Sequence, residues 1–421
     1  MLYYLFDYLN SIHVPGMGAF TYVTTRAGLA LIFSLFISTI IGKRIIDFLR
    51  KHQMSDEVRA LDLEGQLAKR GVPTMGGIII ICSLVIPVLL FSKLNNIYII
   101  LMIVTTIWLG VLGFIDDYVK VFKKNKEGIH GRYKLIAQLG LGALVATTML
   151  TSPAIVIKDH AEVFNEQGVR TVQFATTEVR SLKTTIPFVK NNDLDYGALA
   201  QNLGIGSNGE LFTFVYVTLL FIFIIMAVSN AANLTDGIDG LATGSSAIIG
   251  VVLGILAYFS SHIQYASYLN IMFIPGAEEL VVFASAFIGA TVGFLWYNSY
   301  PAQVFMGDTG SLMLGGVIAV FAIIIRKELL LPILCGVFLV ETLSVIIQTS
   351  YFKFTKKKYG AGRRVFKMTP LHHHFQKRGD GSINALLQSP RIPIPEAKIT
   401  VRFWLIGIML AVLTLITLKL R

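Results

Sequence analysis

The sequence predicts an all-α, polytopic integral membrane protein with about ten transmembrane helices and one small mixed insert. Three observations carry this. Only 14% of the 421 residues are charged while 54% are hydrophobic, whereas a soluble domain carries about 25% charged residues. Ten apolar runs approach the roughly 20 residues that a bilayer crossing needs. Lys and Arg collect in alternate loops, the pattern of a membrane protein's cytoplasmic side. The net charge of +11 is thereby explained by topology, and no nucleic-acid partner is expected. Cys82 and Cys335 both fall inside apolar runs, which leaves neither a disulfide framework nor a metal spacing. The N-terminus shows no basic stretch followed by a short apolar run and a cleavage site, so no removable signal peptide is expected.

The runs fall at about 26–48, 75–92, 97–117, 134–151, 211–230, 240–259, 280–297, 310–326, 329–352 and 400–419. The loops after the first, third and ninth runs hold 25 of the 36 basic residues. The positive-inside rule makes those loops cytoplasmic and places both termini outside. The chain thus reads as one membrane domain over 1–421, with a basic cytoplasmic loop at 353–399. The segment 152–210, with five basic and seven acidic residues and a strand-like run at 171–176, reads as an extracytoplasmic insert without chemistry of its own. No internal repeat or low-complexity tract is visible.

The span ends carry the polar stretches. Lys69-Arg70-Gly71-Val72-Pro73-Thr74-Met75-Gly76-Gly77 leads into the second run. Basic side chains, a hydroxyl and glycines at a helix start suit an anion, and they equally suit a positively charged flank. Asp116 and Asp117 close the third run. Adjacent carboxylates repel, so a cation such as Mg²⁺ accounts for the pair, the other reading being a solvated helix end. After the fifth run comes Asn230-Ala-Ala-Asn233-Leu-Thr-Asp236-Gly-Ile-Asp239-Gly240. A helix end or tight turn would bring its four polar residues, three apart, together around a metal, sugar or base; a polar helix cap is the alternative. Asn233-Leu234-Thr235 also fits the glycosylation pattern, discounted because the topology puts it inside.

Asn298 ends the seventh run, and Phe305-Met306-Gly307-Asp308-Thr309-Gly310-Ser311 opens the eighth. An acid between glycines and hydroxyls at a helix start suits a metal bridging to a diphosphate, or simply an N-cap. In the ninth run Glu341, Ser344 and Gln348 share a helical face, and an intramembrane carboxylate is either functional or hydrogen-bonded within the bundle. Pro370-Leu371-His372-His373-His374-Phe375 sits in the basic loop. Three successive histidines cannot all face one site, which speaks against zinc, although an imidazole can bind phosphate or move a proton. The span-end clusters and the histidine loop all lie on the predicted cytoplasmic face, while Glu341 falls near the middle of its run.

Taken in order, five stretches stand out: Pro73-Thr74-Met75-Gly76-Gly77, Asp116-Asp117-Tyr118, 230–240, 305–311 and 370–375. They resemble the bacterial polyprenyl-phosphate N-acetylhexosamine-1-phosphate transferases over nearly the whole chain, the insert being the main departure. The Leu371-His372-His373-His374-Phe375 form is similar to the branch that uses a muramoyl-pentapeptide donor. The resemblance implies that UDP-N-acetylmuramoyl-pentapeptide and undecaprenyl phosphate give lipid I and UMP with Mg²⁺, at the cytoplasmic face of the inner membrane, by a homodimer. By the same resemblance, Asp308, Asp116 and Asp117 hold the metal, with Asp116 a candidate base. Asn230, Asn233, Asp236 and Asp239 line the nucleotide-sugar site, and Asp239 and Phe305 meet uracil. Lys69, Thr74, Lys134, Asn298, Gly307, Ser311, Gln348, His372 and His373 match other pocket positions.

Two anionic partners must meet, so a divalent cation and basic residues have to lower the repulsion. A phosphate monoester with a second pKa of about 6 is largely dianionic at neutral pH and attacks with little help from a base. Direct transfer and an aspartyl-phosphate double displacement both remain open. Two other readings stay beside this one: transfer from UDP-N-acetylglucosamine, and a transporter, disfavoured because acids at span ends on one face are not paired midplane sites. Excising about 155–205 is expected to spare catalysis.

Overall fold

The computed structural model describes residues 1–52, 69, 71–125, 127–158, 160–164, 170–174, 178–189, 193–202, 209–379, 381 and 383–419. Arg59, Arg70 and Lys126 of the basic loops, and the end of the 171–176 run, lie outside the described residues. Among the described residues nine helices are long and apolar enough to cross a membrane. The expected second span is a shorter helix, α4 (Gly77–Phe91). The chain before it turns through left-handed backbone at Gly71 and Met75, so helix begins only at Gly77.

The first span runs through α2 (Val23–Phe36), a π-helical turn (Ile37–Ile41) and α3 (Gly42–Lys51), after a short N-terminal helix, α1 (Leu2–Ser11). α5 (Ile97–Phe122) starts where the Asn96 side chain accepts the backbone N–H groups of Tyr98 and Ile99 at 2.8 and 3.4 Å, a capping arrangement. α6 (Gly131–Thr151) leads to two antiparallel hairpins, β1 (His160–Phe164) with β2 (Arg170–Phe174) and β3 (Lys183–Thr185) with β4 (Asp193–Asp195). α7 (Tyr196–Asn202), α8 (Gly209–Thr235), α9 (Leu241–Ser260), α10 (Ile263–Leu269), α11 (Glu279–Asn298) and α12 (Gly307–Ile324) follow. The ninth span begins later than 329: a 3₁₀ turn (Glu328–Leu330) and α13 (Leu331–Leu334) precede α14 (Gly336–Tyr359). α15 (Leu371–Gln376) and α16 (Glu396–Thr417) complete the chain.

α12 is the centre of the bundle. Its residues from Thr309 to Ile324 are all buried, and it packs on α5, α8, α9 and α4. At about 1.5 Å per residue it is roughly 27 Å long, so its two ends lie on opposite faces. Its C-terminal end meets the insert: Thr185 N–H donates to the Arg326 carbonyl at 3.1 Å, Lys327 Nζ to the Thr185 hydroxyl at 2.7 Å, and the Tyr196 hydroxyl to Glu328 Oε1 at 2.9 Å. Arg326, Lys327 and Glu328 are all buried there, and burial lowers the Lys327 ammonium to about 8 against the pull of Glu328 and Asp193. A buried ion pair joins the starts of α2 and α11, where Arg26 grips Glu279 through two contacts of 2.7 Å.

Candidate active site

The N-terminal end of α12 opens into a cavity of about 300 Å³. Lys69, Thr74, Asp117, Asn233, Asp236, Asp239, Asn298, Phe305, Gly307 and Asp308 line it, together with Lys120, Val121, Gly237 and Ile238. Four of the five stretches singled out from sequence therefore contribute to one space.

Close backbone packing sets the positions. A Cβ on Gly113 of α5 would fall 2.1 Å from the Asp308 carbonyl oxygen, so only glycine lets α5 touch the start of α12 there. Gly307 has φ +73°, and a side chain at that position would collide with Asp117. The Asp117 carboxylate serves as a cap supplied by a neighbouring helix. It accepts the N–H of Asp308 at 3.1 Å, the N–H of Thr309 at 2.9 Å and the Thr309 hydroxyl at 2.6 Å, satisfying donors that a helix start leaves free.

Asp308 and Asp116 are joined by two ammonium groups. Lys134 Nζ lies 2.6 Å from Asp308 Oδ2 and 3.0 Å from Asp116 Oδ2. Lys120 Nζ lies 2.7 Å from Asp116 Oδ2 and 3.2 Å from Asp308 Oδ2. The other oxygen of Asp116 accepts the Ile129 N–H at 2.8 Å. Asn233 Nδ2 donates to Asp308 Oδ1 at 2.9 Å and to the Ser311 hydroxyl at 2.8 Å, which places Ser311 behind Asp308 as a support. Asp116, Asp117 and Asp308 each offer an oxygen within 4.8 Å of the others. Three hard carboxylate oxygens this close together could hold a metal ion.

The opposite wall is held by a second charged group. Lys69 Nζ lies 2.7 Å from Asp239 Oδ1 and 2.6 Å from Glu396 Oε1, and 5.7 Å from the centre of the Phe305 ring. Burial works against the Lys69 charge, but the two carboxylates outweigh it and hold the ammonium above the ordinary lysine range. Glu396 Oε1 also accepts the Asp239 N–H at 2.7 Å, and Gln376 Nε2 donates to its other oxygen at 3.3 Å. Half-buried Asp236 faces Asp308, Asp117 and Asp239; burial and those charges push its carboxyl up to about 8, with Lys69 opposing. Asn298 braces the wall: its Oδ1 accepts the Gly240 N–H and the Thr243 hydroxyl, and its Nδ2 donates to the Val304 carbonyl.

The remaining sequence candidates lie elsewhere. Asn230 is one turn below the cavity and donates to Gln138 Oε1 of α6 at 3.0 Å, so three of the four spaced polar residues converge on the cavity. Gln348 fixes a loop, accepting the N–H groups of Val365 and Phe366. The three histidines of α15 turn to three partners. His372 is fully buried, its Nδ1 3.1 Å from Glu341 Oε2, and it backs the pocket turn so closely that a Cβ on Gly237 would meet its Nε2 at 2.1 Å. His373 Nδ1 contacts Gln376 Oε1 at 2.7 Å; burial, then the His372 and Lys69 charges, lower it to about 4. His374 is tied to Ser389 and Lys367.

Lys120 and Glu396 also belong to the site, although neither stands out in the sequence. Lys120 stands one turn after Asp116, a usable ion-pair spacing, but it is one of several lysines in a basic flank. Glu396 opens a helix, where an acid is ordinary.

Residues 99–326 match the glycosyl transferase family 4 pattern. Phospho-N-acetylmuramoyl-pentapeptide-transferases of Parabacteroides distasonis and Porphyromonas gingivalis are 65% and 61% identical over 421 residues, covering the whole of both chains. That of Phocaeicola vulgatus is 55% identical over 425 residues, again with full coverage of each. With this identity along its full length, the chain belongs to the phospho-N-acetylmuramoyl-pentapeptide-transferase family.

Proposed function

We propose that this cavity moves phospho-N-acetylmuramoyl-pentapeptide from its UDP-linked donor to undecaprenyl phosphate, giving lipid I and UMP. The observation that carries the site assignment is the knot of Asp116, Asp308, Lys120 and Lys134, with Asp117 capping the helix that presents Asp308. Both reacting groups are anionic phosphates, and two ammonium groups beside two carboxylates can shift toward whichever charge arrives. Asp308 and Asp116, with Asp117 beside them, would hold Mg²⁺, which supplies charge neutralisation across the diphosphate when bound.

Asp116 is poorly placed as a general base. One of its oxygens is taken by a backbone N–H and the other by two lysines. The acceptor's own dianionic phosphate needs no such base, which favours direct attack. Lys69, Asp239 and Phe305 form a wall with a cation, an acceptor pair and an aromatic face, suited to a uracil ring and its phosphates. The basic loops support a cytoplasmic position for this face, with the 152–210 insert and both termini outside and the 353–399 loop inside; the bacterial inner membrane and a homodimeric working state belong to the same proposal.

The test is UMP release by the detergent-purified protein with both substrates, with and without Mg²⁺. Release that needs both substrates and the metal, and is lost in Asp308→Asn, is the expected result. Turnover only with UDP-N-acetylglucosamine would overturn the donor.

A further inference from the structure

A second cavity, of about 600 Å³, lies beside α14 and shares no lining residue with the first. Gln348, Phe352, Lys353, Arg364, Lys367 and Lys377 contribute to it, and among the described residues no carboxylate lines it. Two of these build its walls. Gln348 spends both amide atoms on the backbone of Val365 and Phe366, and Lys367 Nζ donates to the Pro390 carbonyl at 2.6 Å. Lys353 and Arg364 are exposed, and among the described residues no acidic side chain pairs with either. The stretch 351–379 carries nine basic residues and no acid.

The level of this cavity matters as much as its charge. α14 stands away from the bundle, with Ile346, Ile347, Phe352 and Phe354 exposed, and Lys356, Lys357 and Lys358 follow in its last turn. The cavity therefore sits where an apolar, lipid-facing helix surface gives way to lysines, the depth of a bilayer's headgroups. Lys353 and Arg364, which have no acidic partner among the described residues, stand at that depth beside a greasy helix face and match a molecule that is anionic at one end and apolar along its length.

The geometry points to a binding site for an anionic membrane phospholipid, its phosphate between Lys353 and Arg364 and its acyl chains along the exposed face of α14. The site rests on α14 spanning the membrane and is independent of which donor the catalytic cavity takes.

The test is native mass spectrometry of the full-length protein, stripped of lipid in an uncharged detergent and titrated with phosphatidylglycerol or phosphatidylcholine. Phosphatidylglycerol should be retained preferentially. The double variant Lys353→Ala/Arg364→Ala should lose about tenfold or more of that retention, the effect of removing two interfacial cations. The charge-keeping variant Lys353→Arg/Arg364→Lys should retain the lipid. Equal retention of the two lipids, an unchanged double variant, or loss in the charge-keeping variant would each overturn the site. So would displacement of phosphatidylglycerol by an equal concentration of glycerol phosphate or undecaprenyl phosphate, because the site would then belong to free phosphate or to the acceptor. All readouts are of lipid binding, so failure here is distinguishable from a wrong donor or reaction.

Discussion

The two ends of α12 both bury charge, and they handle it in opposite ways. At the C-terminal end Arg326, Lys327 and Glu328 are sealed under the insert by Thr184, Thr185 and Tyr196. At the N-terminal end Asp308 shares two lysines with Asp116 at the edge of an open cavity. Sealed charge holds the fold together, and its removal leaves partners stranded in a low-dielectric interior. Charge that borders a cavity can exchange its partners for a ligand. Stability and turnover should therefore separate cleanly between substitutions at the two ends.

The largest effect is expected at the cavity end. Asp308→Asn should lower kcat by about 10³, in the range found when a preorganised electrostatic group is lost from a site, while the melting temperature in detergent barely moves. Equal losses of activity and folded protein would erase the distinction between the two ends. The converse is Glu328→Ala, which strands the Tyr196 hydroxyl and removes the charge that offsets buried Arg326 and Lys327; it should cost about 3 kcal/mol of stability, read by thermal denaturation, while the protein that remains folded keeps its kcat. The same contacts revise the expectation for excising 155–205. That deletion removes Thr184, Thr185 and Tyr196, so the expected loss of stability precedes any question of catalysis.

Glu396→Gln tests the second charged group. It weakens the hold on Lys69 and on the Asp239 backbone without touching Asp308, so KM for the donor should rise about tenfold with kcat nearly unchanged. A fall in kcat at constant KM would place Glu396 with the reacting phosphates instead. The last contrast concerns His373. Its folded form resists protonation down to about 4, while the unfolded chain takes up the proton near the ordinary 6.5. Acid therefore favours unfolding, and stability should fall as pH drops from 6.5 toward 4. Replacing His373 with Gln should flatten that part of a stability-versus-pH curve.

The helices were legible because lipid-facing and core-facing residues are alike apolar, so a span registers as an unbroken run. The site was legible in pieces: the acids and amides at the ends of α5 and α8 and the start of α12 each stood out against apolar surroundings. What local pattern could not give was partnership. Nothing near Lys69 points to Glu396, 327 residues away, nor does anything near Arg26 point to Glu279. Gln348 and Asn230 look like pocket residues by type and place, yet a loop and a neighbouring helix claim their hydrogen bonds. The start of α14 was misplaced because the apolar run begins before the helix does, in the 3₁₀ turn and α13.

α12 is almost wholly buried within the bundle, whereas most of α14 is not. A change in bilayer thickness or tension acts only on surfaces that lipid touches. Mechanical load from the membrane therefore falls on α14 and the basic cavity beside it, while the helix that presents Asp308 is insulated by a full layer of protein. Catalytic geometry is thus expected to hold across membranes of different thickness, with any sensitivity to lipid composition concentrated at the periphery.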